Sequence, residues 1–390
     1  MCSTGIAVRK LGLWVAAFAP VLLGACSSHS SLSWNPRTAA AYLDRRESWW
    51  ASWPPTARAH GTCCVSCHTT MPYALARPAL RDVLGQTGPN TTERQLLEDI
   101  RRRERLWSSA GHNLTQSQTA GRATEAVFFA LILSSYDARD GHLSGETANA
   151  FQEMWALQAT AGADAGSWPW VNANDEPFEA HDSRYYGTAL AALAVGVAPD
   201  DYRSRKEVQS GVALLRGYLN REFAKQSPIN HVALLWASAH LPGLIDASRR
   251  AAIIEDVERH QRPDGGWCLA GMVGPWTRRD GTPEVMKSDG YATGLVVLAL
   301  EQSGLAPTNP SLLRGRAWLE RNQSDWDGRW AGYSLNRRHA RFLDPAARFM
   351  DDAATAFAVL ALTEGRAGQT LPIRAVRSDS RTSQRDGSRG

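Results

Sequence analysis

Residues 60–70 read His-Gly-Thr-Cys-Cys-Val-Ser-Cys-His-Thr-Thr and place Cys64, Cys67 and His68 in the order C-x-x-C-H. Two thiols at this spacing can capture the two vinyl groups of a haem as thioethers, and the histidine that follows can ligate the iron. The pattern predicts one covalent haem c, held by Cys64 and Cys67, with His68 as the proximal ligand. Two other chemistries use the same residues: a Cys64–Cys67 disulfide or redox pair, and a metal knuckle drawing on Cys63 or the distant Cys268. The first would normally sit in a thioredoxin-like βαβ unit, and the second usually needs another cysteine pair; the sequence offers neither. The opposite face of the iron stays open to Met154, Met272, Met286, Met350, His112, His181 or His231. Met71 and His60 lie too close to the pentad.

A second set of candidates is acidic. Asp182, Asp289 and the pair Asp351-Asp352 each precede or open an Ala- and Leu-rich stretch. If those stretches are helices entering from one side, the acids gather at one mouth of a central cavity, with Tyr185, Tyr186 and Tyr291 nearby. Asp289, Tyr291, Asp351 and Asp352 are the candidates for catalysis or ligand binding; the competing role for the aspartates is helix capping.

Three segments share an order that must position these groups: glutamine, glycine, tryptophan, a loop, a polar start, then an apolar helix. They are Gln158 to Trp168 followed by 181–196, Gln261 to Trp267 followed by 287–301, and Gln323 to Trp330 followed by 350–365. Thr188, Thr293 and Thr355 occupy matching places. The closing helices are apolar nearly all round, as buried helices are, whereas 249–261 and 310–323 alternate apolar and charged residues as half-exposed helices do. The alternation extends backwards through 205–225, 92–107 and 37–50, giving six outer–inner pairs. The expectation is an all-α double ring over residues 36–365, with the pentad where the first loop becomes the first inner helix.

Gln261-Arg-Pro-Asp-Gly265-Gly-Trp267 resembles the Q-x3-G-x-W repeat of the squalene–hopene and oxidosqualene cyclase family; Gln323 to Trp330 has one extra residue and Gln158 to Trp168 fits loosely. The resemblance implies an α/α toroid, a fold shared with protein prenyltransferase β subunits and some polysaccharide lyases. It also implies an acid motif, D-x-D-D. Here Phe349-Met350-Asp351-Asp352 keeps its last two residues, and Tyr291 stands where a prenyltransferase-like zinc set would have cysteine after Asp289. A haem-free cyclase-like or lyase-like enzyme using Asp351 or Asp352, and a non-catalytic binding module, are therefore the alternatives.

Compartment follows from the N-terminus. Arg9-Lys10, an apolar run from Leu11 to Leu23, and Leu23-Gly24-Ala25-Cys26 form an export signal over 1–26 that resembles a bacterial lipoprotein signal, with Cys26 lipidated. Residues 27–35 are a leash and 366–390 a disordered tail. The formal charge is +4, only four of the 43 basic residues are lysine, and the one dense arginine run, 101–105, carries an acid. Nothing there suggests a nucleic-acid footprint. The expected protein is tethered to a membrane on the periplasmic side, carries haem c, exchanges electrons with a partner, and offers a cavity to a hydrophobic or polysaccharide ligand.

Overall fold

The structure, a computed structural model, describes residues 33–107, 115–338 and 344–370. The expected signal with Cys26, residues 371–390 of the tail, and His112 lie outside the described residues. Among the described residues there are thirteen α-helices and no strand; β pairing is limited to two isolated bridges, Ala57 with Cys63 and Asp175 with Glu179. None of these helices is long and apolar enough to cross a membrane.

Six helices form an inner circle: α2 (Thr70–Val83), α4 (Gln116–Asp140), α6 (Ser183–Val197), α8 (Pro228–His240), α11 (Gly290–Gln302) and α13 (Phe349–Thr370). Each packs against the next, and α13 packs against α2, which closes the circle. Outside them run α1 (Pro36–Ser52), α3 (Thr91–Trp107), α5 (Gly145–Ala156), α7 (Lys206–Glu222), α9 (Ala247–Arg259) and α12 (Pro310–Arg321); α10 (Leu269–Val273) is a short turn of helix in the loop before α11. The fold is the expected α/α toroid. Helix α13 continues through 366–370, residues that the sequence assigned to the tail.

Burial explains the division of labour. Every residue of α11 from Gly290 to Leu300 is buried, whereas α9 buries only Ile253 and Val257. A helix covered on all sides must be apolar on all sides, and one covered on a single stripe can spend the rest on charge. Two outer helices, α1 and α12, start at strong caps: Asn35 and Asn309 each accept two backbone N–H bonds, with Pro36 and Pro310 at the first helical position.

The glutamine–tryptophan repeat is a clamp between consecutive pairs. The Gln261 amide donates to Gly265 O at 2.9 Å in its own loop and to Ser311 O at 2.8 Å on the next outer helix. Gln158 does the same with Gly166 O and Gly211 O, and Gln323 with Gly328 O and Asn35 O. The indoles of Trp168, Trp267 and Trp330 are fully buried and donate to Met154 O, Val257 O and Leu319 O, carbonyls at or near the ends of the preceding outer helices. Truncating one of them would cost about 3–5 kcal/mol. Because Gln323 reaches Asn35, with Asn35 N returning a bond to Gln323 Oε1 at 2.7 Å, the last clamp joins the sixth pair to the first. Gly328 allows this: its φ is +79°, and a Cβ there would lie 2.4 Å from the backbone of Thr38.

Candidate haem-attachment site

Residues 53–69 link α1 to α2. Thr56 Oγ1 is within 2.8 Å of the carbonyls of Trp50 and Trp53, Cys64 N donates to Thr56 O at 2.9 Å, and Arg58 N to Thr62 O at 2.7 Å, so the segment doubles back as a narrow loop. The Trp50 indole donates to Cys64 O at 2.8 Å and pins the loop to α1. Ser66, inside the pentad, caps the next helix: its Oγ accepts from Thr69 N at 3.1 Å and Thr70 N at 2.9 Å. The capping serine thus places His68 in the turn that enters α2.

Cys63, Cys64 and Cys67 are free thiols. Burial pushes the Cys63 thiol up to about 12 and the Cys64 thiol up to about 11; burial and the Glu179 carboxyl hold Cys67 well above the usual range. The His68 imidazole lies against Phe349, centroids 3.9 Å apart and planes 18° off parallel, with Trp50 edge-on at 5.0 Å. Its Nδ1 is 2.9 Å from Thr69 Oγ1, whose own hydrogen goes to Asp352 Oδ2 at 2.8 Å. With that hydrogen committed, Thr69 accepts from His68, so the proton sits on Nδ1 and Nε2 keeps its lone pair. Burial, aided by the charge of Arg46, lowers this imidazole to about 3, leaving it neutral.

Cys64, Cys67 and His68 open onto one cavity of about 560 Å³. Trp50, Trp107 and Phe128 supply aromatic wall, and Arg58, Arg103 and Arg122 supply charge. Arg103 pairs with Glu125, and Arg122 with Glu153 at 2.8 Å; both guanidinium groups lie over Trp107 at about 6 Å. Arg103 Nε, Arg122 Nε and Glu125 Oε1 are buried without a hydrogen-bond partner. Buried polar atoms are rarely left so, and here three of them belong to residues lining one cavity.

The predicted acids stand at the starts of inner helices, each engaged locally. Asp289 caps α11, accepting from Ala292 N at 2.9 Å and Leu269 N at 2.6 Å; burial raises it to about 7 against these bonds. Asp351 accepts from Gly332 N at 2.9 Å and Arg329 Nε at 3.1 Å. Asp352 accepts from Tyr42, Arg46 and Thr69; burial raises it to about 6 against the pull of Arg46. Tyr291 is packed edge-on between Phe178 and Phe357, 5.3 Å from each. The structure therefore brings Asp352, through Thr69, to the histidine of the pentad, and keeps Asp289 and Tyr291 out of the cavity lining.

The remaining iron-ligand candidates also sit elsewhere. His231 bonds to Phe223 O at 2.9 Å and stacks on that ring; Met154 and Met272 are in the core, and Met286 is exposed. Met350 shares a neighbouring cavity of about 290 Å³ with Cys67 and His68.

Comparison with known proteins bears on the scaffold. Among the solved structures it resembles is a polysaccharide lyase. That solved structure superposes with a TM-score of 0.51 at 12% identity, over 86% of this chain and 99% of the lyase. The match extends the toroid reading to the whole ring and shows the fold alone. No protein-family model and no curated protein matches the sequence.

Sequence reasoning missed the arginines and Trp107 of the cavity wall. Arg103 and Trp107 come from α3, Arg103 within the 101–105 run that carried no functional signal, Arg58 from the 53–69 loop, and Arg122 from α4, where it carries no motif. It also missed the Thr69 link, whose only sequence signal is adjacency to His68.

Proposed function

We propose that the protein is an exported, lipid-anchored haem c protein whose toroid body carries one covalent haem in a redox role. One observation carries the reading: Cys64, Cys67 and His68 line a single aromatic and arginine-rich cavity, with the imidazole neutral and its Nε2 free. The residues present fit the group. Cys64 and Cys67 would hold the porphyrin and His68 the iron; the unpartnered donors of Arg103 and Arg122 suit the two carboxylates that a haem carries. When bound, the group supplies one-electron exchange and, in a site with an open iron position, small-ligand binding.

The chain's own residues orient and enclose. Arg46 fixes Asp352, Asp352 fixes Thr69, and Thr69 holds the Nδ1 proton of His68, the kind of outer support that metal-ligating histidines require. Trp50, Trp107 and Phe128 supply the apolar wall against which the group would lie. No methionine and no second histidine is among the described residues lining this cavity, so an iron held there would keep a position for a small ligand unless Met350, in the neighbouring cavity, supplied it. The cyclase resemblance and the lyase likeness bear on the scaffold; the oxygens of Asp351 and Asp352 are occupied by arginines, hydroxyls and backbone N–H, and do not favour an acid-catalysed reading.

The test is a visible spectrum of the chain produced with cytochrome c maturation, oxidised, then reduced, then exposed to carbon monoxide. Sharp reduced bands that shift with carbon monoxide are expected. Bands that ignore it would remove the open position, and a folded chain without haem would overturn the reading. The membrane tether is tested separately: Cys26→Ser should move the protein from the membrane to the soluble fraction.

A further inference from the structure

The second cavity, which shares Cys67, His68 and Glu179 with the first, is also lined by Glu176, from the loop before α6. That loop is built rigidly. Ala173 N and Asp175 N both donate to Glu179 O, and Glu179 N returns a bond to Asp175 O at 2.8 Å. Asn336 grips the backbone of Glu176 from both sides, accepting from its N–H at 2.9 Å and donating to its carbonyl at 2.8 Å. Ser183 Oγ ties Pro177 O and Ala180 N to the start of α6. The loop holds Glu176, His181 and Asp182 with one ligand atom from each within 4.8 Å of the other two.

Asp182 is the informative member, because its counterpart one inner helix past α8 behaves differently. Asp289 caps α11 with its side chain, whereas Asp182, at the same position before α6, makes no capping bond. Its Oδ2 accepts from Asn230 Nδ2 at 3.0 Å; its Oδ1 is buried with no donor and faces the Glu176 carboxyl. Glu176 is itself only 5% exposed. Two carboxyls facing each other across a gap without a donor need a shared proton or a cation between them. The adjacent imidazole of His181, exposed and able to turn in, favours the cation.

We propose that Glu176, His181 and Asp182 form a site for one divalent transition cation of the zinc type. Two carboxylate oxygens and one imidazole nitrogen match the borderline donor set of such ions, and the exposed side leaves room for water. Bonds of about 2.1 Å in tetrahedral array would put the ligand atoms about 3.4 Å apart, a contraction that side-chain rotation supplies. The site is independent of the haem reading, sharing with it only the second cavity.

The experiment is equilibrium dialysis of the full chain against Zn²⁺, followed by metal analysis, for the haem-loaded parent, His181→Ala and Glu176→Gln and, separately, for Cys64→Ala/Cys67→Ala without haem. The parent should retain one equivalent that both site variants lose, with affinity falling by at least about tenfold. His181 is exposed, so its variant folds even if Glu176→Gln does not. The double cysteine variant should keep the His181-dependent equivalent, which separates this outcome from a failure of the haem reading. Co²⁺ at the same equivalent should show ligand-field bands without a thiolate charge-transfer band. Zinc retained equally by parent and site variants, or by neither, would mean that the carboxyls share only a proton and would overturn the proposal.

Discussion

The loop entering α11 and the loop entering α2 occupy the same station in the ring, yet they treat their polar atoms in opposite ways. Before α11, Gln261, Trp267 and Asp289 together meet five backbone groups, and Thr293 Oγ1 accepts from Trp267 N at 2.9 Å. That loop is closed on itself. Before α2, Ser66 does the capping, and the freed residues Cys64, Cys67 and His68 open onto a cavity where Arg103 Nε and Arg122 Nε lack acceptors. One architecture thus yields a structural clamp whose glutamine, tryptophan and aspartate are all met by backbone groups, and a site where the arginines of the wall wait for a partner.

The contrast can be broken most severely at the open loop. Cys64→Ala/Cys67→Ala should abolish covalent haem, read by a haemochrome assay of the denatured chain, while leaving the parent apoprotein's unfolding free energy in urea changed by only about 1 kcal/mol, because neither thiol is in a disulfide and the Cys67 Sγ contact with Glu179 Oε1 is long, at 3.7 Å. At the closed loop the reverse holds. Trp267→Ala should cost about 3–5 kcal/mol in denaturant unfolding, through loss of a fully buried indole, with covalent haem still present on the molecules that fold. Asp289→Ala should cost about 1–2 kcal/mol through the lost cap and leave the haem spectrum unchanged.

Two smaller effects sharpen the comparison. Glu47 on α1 is buried, and burial, with the charges of Asp352 and Asp99, raises it from 4.5 to about 8. The folded state therefore holds a proton that the unfolded chain releases. The stability this contributes is present below 4.5 and declines as pH rises towards 8. Glu47→Gln should flatten that decline in urea midpoints taken across this window. Arg122→Gln removes one positive charge from the cavity wall, so the reduction potential should fall by the equivalent of about 1 kcal/mol in a redox titration.

The ring was legible because its signals are periodic. The inner helices must be apolar all round, the outer ones amphipathic, and the Q-x3-G-x-W spacing encodes a clamp whose bonds are local in sequence, such as Gln261 to Gly265. Ring closure was less so: Gln323 meets Asn35 across 288 positions, and nothing in either residue announces the pairing. The pentad was legible as chemistry because its three ligating groups fall within five residues. Its cavity was not, since Arg103, Arg122 and Trp107 are brought there by packing of α3 and α4. The acids show the limit of reasoning from helix starts: Asp182 and Asp289 immediately precede their helices and Asp352 lies in the first turn of its own, yet one faces a carboxyl, one caps, and one supports His68 through Thr69.

The most direct test of the central claim is the intact mass, under denaturing conditions, of the full chain matured in the presence of haem. The account predicts a mass increased by one haem that survives acid and organic solvent and maps to the peptide containing Cys64 and Cys67. A folded chain with unmodified mass and two alkylatable thiols at those positions would contradict it.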